Sequence, residues 1–242
     1  ETIDFGPCAF MEAYDPRAVF SSIDEMGRYA YAEQPGIARW NLARLAETLL
    51  PLIDANEGHA ITLATEVIDA FPERYQHHWL AGLRAKLGLS GQVASGDAAD
   101  TALGESWLDL LHAQGVDFTL AWRRLGDAAE GFDAPLRALF PGQPGLDRWL
   151  QRWRERCAAE DAGADRAALR AEAMRRVNPW LIPRNHRVEE ALDAASDSGD
   201  LRPFESLLNA LQRPFDENPA LARHAEPAPG EFMAQFRTFC GT

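Results

Sequence analysis

A chain of 242 residues with 46% hydrophobic side chains can bury a sizeable core, which excludes a disordered tail. Its 24 basic and 37 acidic residues leave a formal charge of −13, which repels phosphate backbones and argues against nucleic acid as the main partner. No run reaches the 18 or so apolar residues of a membrane span, so no membrane partner is expected.

No basic-then-apolar leader is visible, and the first residue is Glu1, so the expectation is the C-terminal part of a longer protein. Thr2-Ile3 leads into Asp4-Phe5-Gly6, which reads as a strand end presenting a carboxylate beside a glycine. Up to about Gln34 the chain is irregular, broken by Gly6-Pro7, Asp15-Pro16, Gly27 and Gln34-Pro35, like an activation-type loop. Ile37, Trp40, Leu42, Leu45, Leu49 and Leu50 then recur at three- and four-residue steps, predicting a largely buried helix closed by Pro51.

Further helices are predicted over 59–70, 73–87, 97–114 and 117–125, with Asp97 and Asp117 as N-caps. A Gly/Pro-rich stretch, 140–145, separates these from helices over 146–161, 165–177, 188–195, 201–211 and 231–239. Strand-like alternation is confined to the first residues, so the fold class is mainly α.

Most apparent constellations have a plain structural reading. His77 and His78 are adjacent and point about 100° apart on a helix, whereas helical metal pairs need spacings of three or four. His186 and Glu190 have that spacing but sit among Arg184, Arg187 and Glu189, which suggests a solvated ion-pair face. Arg148, Arg152, Arg154, Arg156, Arg166, Arg170, Arg175 and Arg176 are expected on the wet side of packed helices, and the tryptophans, Trp40, Trp79, Trp107 and Trp122 among them, as core. Cys8, Cys157 and Cys240 lack Cys-x-x-Cys spacing, so free thiols in a reducing bacterial cytoplasm are expected. Cys240, two residues from the end, is the candidate redox thiol. No serine-hydrolase elbow, Walker loop or dinucleotide fingerprint occurs.

One ordered series of motifs runs nearly the length of the chain: Ile3-Asp4-Phe5-Gly6-Pro7, Asp15-Pro16, Gly27-Arg28-Tyr29-Ala30-Tyr31, Gln34-Pro35 and Trp40-Asn41-Leu42-Ala43-Arg44-Leu45-Ala46. It continues through Lys86-Leu87-Gly88-Leu89, Asp117-Phe118-Thr119, Asn178-Pro179, Arg184-Asn185-His186, Gly199-Asp200 and Arg213-Pro214-Phe215 to Cys240-Gly241-Thr242. This series resembles the selenoprotein O family. The resemblance implies a pseudokinase-like protein adenylyltransferase that moves AMP from ATP to Ser, Thr or Tyr hydroxyls of protein substrates. It implies Asp4 as the nucleotide-site ligand of Mg²⁺ or Mn²⁺. The family's Gly-rich loop, phosphate-binding cations and catalytic base precede the Asp-Phe-Gly, so no catalytic base is expected here and the chain alone should be inactive.

The same resemblance implies three segments: 1–36, the metal-binding segment and activation-type loop; 37–140, the helical lobe of a kinase-like fold; and 146–242, a helical C-terminal extension. It further places Cys240 at the family's C-terminal selenocysteine or cysteine. The loop cysteine that pairs with it in some bacterial relatives aligns with Phe20 here, leaving Cys8 as the possible substitute. The rival reading is a non-catalytic helical scaffold or interaction module, with Asp4-Phe5-Gly6 serving only as a turn.

Overall fold

The computed structural model describes residues 10–91, 96–140, 142, 145–161 and 166–238. Among them the regular structure is helical, apart from one isolated antiparallel bridge between Ala13 and Asp117. The described chain falls into two compact units, residues 15–81 with 237–238, and residues 10–14 with 82–236; the boundary lies inside a helix.

In the first unit, residues 15–33 form consecutive turns held by aspartates. Asp24 accepts the N–H groups of Arg28 and Tyr29, both at 2.8 Å, and Asp15 accepts that of Arg17 at 2.8 Å. A 3₁₀ turn, Tyr31–Glu33, leads into α1, Gln34–Ile53, with proline in its first turn, where a missing N–H costs nothing. Pro51 does not end α1. It sits in the last turn, and the helix runs two residues further, to Ile53. Helix α2, Glu57–Asp69, folds back along α1; Asn56 caps it by accepting the His59 N–H at 3.0 Å. Arg39 pairs with Asp69 at 2.8 Å, tying the start of α1 to the end of α2.

The expectation that α1 is largely buried fails. None of its residues is buried, and Trp40, expected in the core, is 47% exposed. The Arg28 and Arg44 guanidiniums lie over the Trp40 ring, 4.7 and 5.5 Å from its centroid. Periodicity marks an apolar side; it does not supply a second element to cover it.

Helix α3, Phe71–Leu87, carries the boundary between the units. The second unit continues with α4, Gly96–Gln114; α5, Phe118–Ala129; and α6, Ala134–Arg137. Next come α7, Leu146–Ala158, and α8, Arg166–Val177. Asp97 lies inside α4 and not ahead of it, while Asp117 caps α5 as expected, accepting the Leu120 N–H at 2.7 Å. The core here is aromatic. Trp107 meets Trp149 at 4.4 Å between centroids and both Trp122 and Phe140 at 5.9 Å, while Trp149 stacks on Trp153 at 5.9 Å. The indole N–H groups of Trp149 and Trp153 donate to the carbonyls of Leu103 and Leu87, at 3.1 and 2.9 Å, so two of the large buried rings also satisfy their polar edges.

The arginines of α7 and α8 do not all face water. Arg156 and Arg84 grip opposite sides of Asp100, each with a 2.7 Å bond, and Asp100 is 1% exposed. Arg170 forks onto Asp161 at 2.8 and 2.9 Å and donates to the Gly88 and Cys157 carbonyls. Long stems cross apolar surface while the guanidiniums collect carboxylates, so these residues join helices.

The remaining helices are α9, Asn185–Ser198; α10, Arg202–Leu211; α11, Ala222–Ala225; and α12, Gly230–Gln235. Helix α9 starts three residues before the predicted Val188 and ends on Gly199, whose φ of 67° is the left-handed cap that glycine adopts without penalty. Trp180, Leu181, Ala210 and Ala225 make a smaller core, to which the Trp180 and Leu181 N–H groups add bonds to the Pro214 carbonyl at 2.8 and 3.0 Å.

Candidate functional site

Asp4, Cys8 and Cys240 lie outside the described residues. What the structure describes is the anchorage of the segment that follows Asp4-Phe5-Gly6. Asn185, at the first position of α9, uses its amide as a substitute for a backbone partner. Its Oδ1 accepts the Phe10 N–H at 3.0 Å, and its Nδ2 donates to the Phe10 carbonyl at 2.8 Å. Two residues on, the Glu12 carbonyl accepts the Phe118 N–H at 2.7 Å. The Tyr14 ring stacks on Phe118 with centroids 5.3 Å apart.

Beneath this segment lies a buried ionic cluster. Arg184 is fully buried, and its Nη1 donates to Glu12 Oε2 at 2.5 Å and to Asp117 Oδ2 at 2.6 Å. Its Nη2 donates to Asp117 Oδ1 at 3.1 Å and to the Ala225 carbonyl at 3.2 Å. The Ala228 N–H donates to Glu12 Oε2 at 3.2 Å, so the chain around residue 228 joins as well. Burial pushes the Glu12 carboxyl above its ordinary value, and the Arg184 charge offsets only part of that. Both Nη atoms of Arg184 are taken up by carboxylates and a carbonyl deep in the fold, which leaves the guanidinium unsuited to gripping a phosphate. The cluster positions backbone.

Neither histidine constellation forms a metal site. Among the described residues no three His, Cys, Asp or Glu side chains converge to hold an ion. His77 and His78 pack against each other at 5.4 Å between centroids. His186 lies edge-on to Phe232 at 5.9 Å, and Glu190 accepts from Arg187 at 3.1 Å and from Arg223, so an ion-pair face forms there, but Arg184, expected on the same solvated face, is fully buried. One carboxylate, Asp4, does not make a metal centre by itself.

Cys157 is buried, and burial pushes its thiol up to about 12, where it holds its proton and is a poor nucleophile. In the first unit Phe20 meets the C-terminal end of the described chain. The Thr238 hydroxyl donates to the Phe20 carbonyl at 2.7 Å, and the Ser22 N–H donates to the Thr238 carbonyl at 2.8 Å. The sequence gives Glu12 no role, and it marks Arg184 and Asn185 only as motif members, with Arg184 on a solvated face. The available signal was a run of polar side chains, Arg184-Asn185, beside the apolar Trp180-Leu181-Ile182, together with its place in the motif series.

Residues 1–212, and with them Asp4-Phe5-Gly6 and the whole Arg184 cluster except the strand of chain at 225–228, match the family model described as protein adenylyltransferase SelO. The chain belongs to the SelO family. It is 53% identical over 243 residues to the protein nucleotidyltransferase YdiU of Chromobacterium violaceum, covering 100% of this chain and 49% of that protein. It is 52% identical over 244 residues to the YdiU of Rhizobium etli strain CIAT 652 and 54% over 242 residues to that of Mycobacterium sp. strain KMS, in each case all of this chain and 47% of the relative. This SelO-family chain therefore spans about half the length of the curated relatives it matches. No helix among its described residues is long and apolar enough to cross a membrane.

Proposed function

We propose that this chain is the C-terminal part of a protein adenylyltransferase that transfers AMP from ATP to Ser, Thr or Tyr hydroxyls of bacterial cytoplasmic proteins. The observation that carries this reading is the family match over residues 1–212 together with 52–54% identity, end to end, to nucleotidyltransferases. In the reaction the acceptor oxygen forms a bond to the α-phosphorus, the bond from that phosphorus to the β-phosphate oxygen breaks, and pyrophosphate leaves. The acceptor proton goes to a base that this chain does not supply. Asp4 is proposed as one ligand of Mg²⁺ or Mn²⁺, an ion that would neutralise charge on the phosphates when bound. The other ligands, the nucleotide loop and the base belong to the part of the full-length protein outside these residues, so the chain alone is proposed to be inactive. The helical segments 37–140 and 146–242 are proposed as the kinase-like lobe and its extension.

The test is label transfer to protein by the full-length enzyme, comparing α-labelled with γ-labelled ATP in Mg²⁺ or Mn²⁺, with Asp4→Ala alongside. Transfer from the α-position alone, reduced on the order of 10²-fold or more in the variant, is the expected result. Transfer of γ-label would make it a kinase; no transfer of either label would favour a helical scaffold.

A further inference from the structure

We propose that one face of α1 is a packing seam for a helix from the half of the full-length protein that these 242 residues do not span. Leu42, Leu45, Leu49, Leu52 and Ile53 are 40, 53, 38, 82 and 38% exposed. At about 100° per residue they fall within an arc of roughly 100°, the width of a stripe that meets a partner helix. No charged residue of α1 falls in that arc. Arg44 and Glu47 pair across a different face at 2.6 Å, so the polar side of the helix is already assigned to water. Isolated exposed aliphatic side chains are ordinary; four leucines and an isoleucine on one stripe of a helix with no buried residue form a patch that calls for a cover.

The lengths of the relatives favour one occupant. Proteins that align with the whole chain at 52–54% identity are about twice as long, so the same polypeptide brings a comparable mass of chain at high effective concentration. A second copy is the poorer candidate, because it would bring another formal charge of −13 to the contact. Steps of three and four residues fit the ridges of a helix, in preference to an extended peptide. This inference depends on family membership and the relatives' length, and it stands whether or not the enzyme transfers AMP.

The test is photocrosslinking in the full-length protein, with benzoylphenylalanine replacing Leu45 or Leu49 in separate variants and peptides mapped by mass spectrometry. A bulky apolar probe keeps the seam apolar, so folding is preserved. Crosslinks within one chain, to residues outside the 242, are expected. Mixing isotopically light and heavy protein separates intrachain from interchain products. Crosslinks between copies, crosslinks to residues 82–236, or none at all would overturn the proposal. In parallel, Leu45→Asp with Leu49→Asp should lower the Tm of the full-length protein by roughly 5–10 °C, and an unchanged Tm would also count against it.

Discussion

Arg184 Nη1 lies 2.5 Å from Glu12 Oε2, closing a loop of 172 residues between the chain that follows Asp4-Phe5-Gly6 and the start of α9. The same guanidinium holds Asp117, the N-cap of α5, so one cation fixes three separate stretches of backbone. Removing it would leave two buried carboxylates without their counter-charge, and Arg184→Ala is therefore expected to cost about 3–5 kcal/mol. Arg184→Lys keeps the charge but not the fork that reaches both carboxylates, so it should recover only part of the loss. Urea unfolding of the full-length protein reads both values. An alanine variant within about 0.5 kcal/mol of wild type would mean that the cluster contributes nothing to stability.

Asp100 gives the stability curve a definite sign against pH. Burial raises its pKa, but the bonds from Arg156 and Arg84 outweigh that, and the net effect holds it below 3.8. The folded state thus binds the proton less tightly than the unfolded chain. Its contribution is complete above pH 3.8 and is lost as pH falls through the lower folded value. Glu12 acts in the opposite sense, since its raised pKa makes stability fall as pH rises above 4.5 through the folded value. Asp100→Asn is expected to lower stability at pH 7 by about 3 kcal/mol. That deficit should shrink as the pH is taken below 3.8. Denaturant midpoints for both proteins across pH 3–7 check this; a deficit constant with pH would show that the charge of Asp100 is not what matters.

Local pattern carried the helices and the Asp117 cap, because spacing and capping are written within a few residues of where they act. It did not carry what covers a face. Trp40 and Trp107 both sit on helical apolar positions, yet one is 47% exposed and the other fully buried, a difference made by elements distant in sequence. The same limit hid the Arg184 cluster. Arg184 and Asp117 were each legible as motif members, but their partnership spans 67 residues and that with Glu12 spans 172. Arg156 and Arg170 looked like a wet face because a charged side chain signals solvent unless its carboxylate partner, here Asp100 or Asp161, is known to face it. Short helices such as α6 and α11, four residues each, have too few turns to show a period.

Gly104, inside α4, sets two effects against each other. Alanine in a helix interior is ordinarily favoured over glycine by about 1 kcal/mol. Here a Cβ would stand 2.2 Å from Leu83 Cδ2 and 2.7 Å from its Cδ1, well inside contact distance. Leu83 is only 6% exposed, in a close-packed interior, so relief requires α3 and α4 to separate or Leu83 to leave its rotamer. Overpacking of this kind costs about 1–3 kcal/mol, and Gly104→Ala is expected to come out destabilising, by up to about 2 kcal/mol, despite the gain in helix propensity. A double-mutant cycle with Leu83→Ala isolates the clash. Trimming Leu83 removes the obstructing methyls, so the double variant should be less destabilised than the sum of the two single changes. If Gly104→Ala stabilises the protein, or if the two changes simply add, the close approach of α4 to Leu83 is not the reason for glycine at this position.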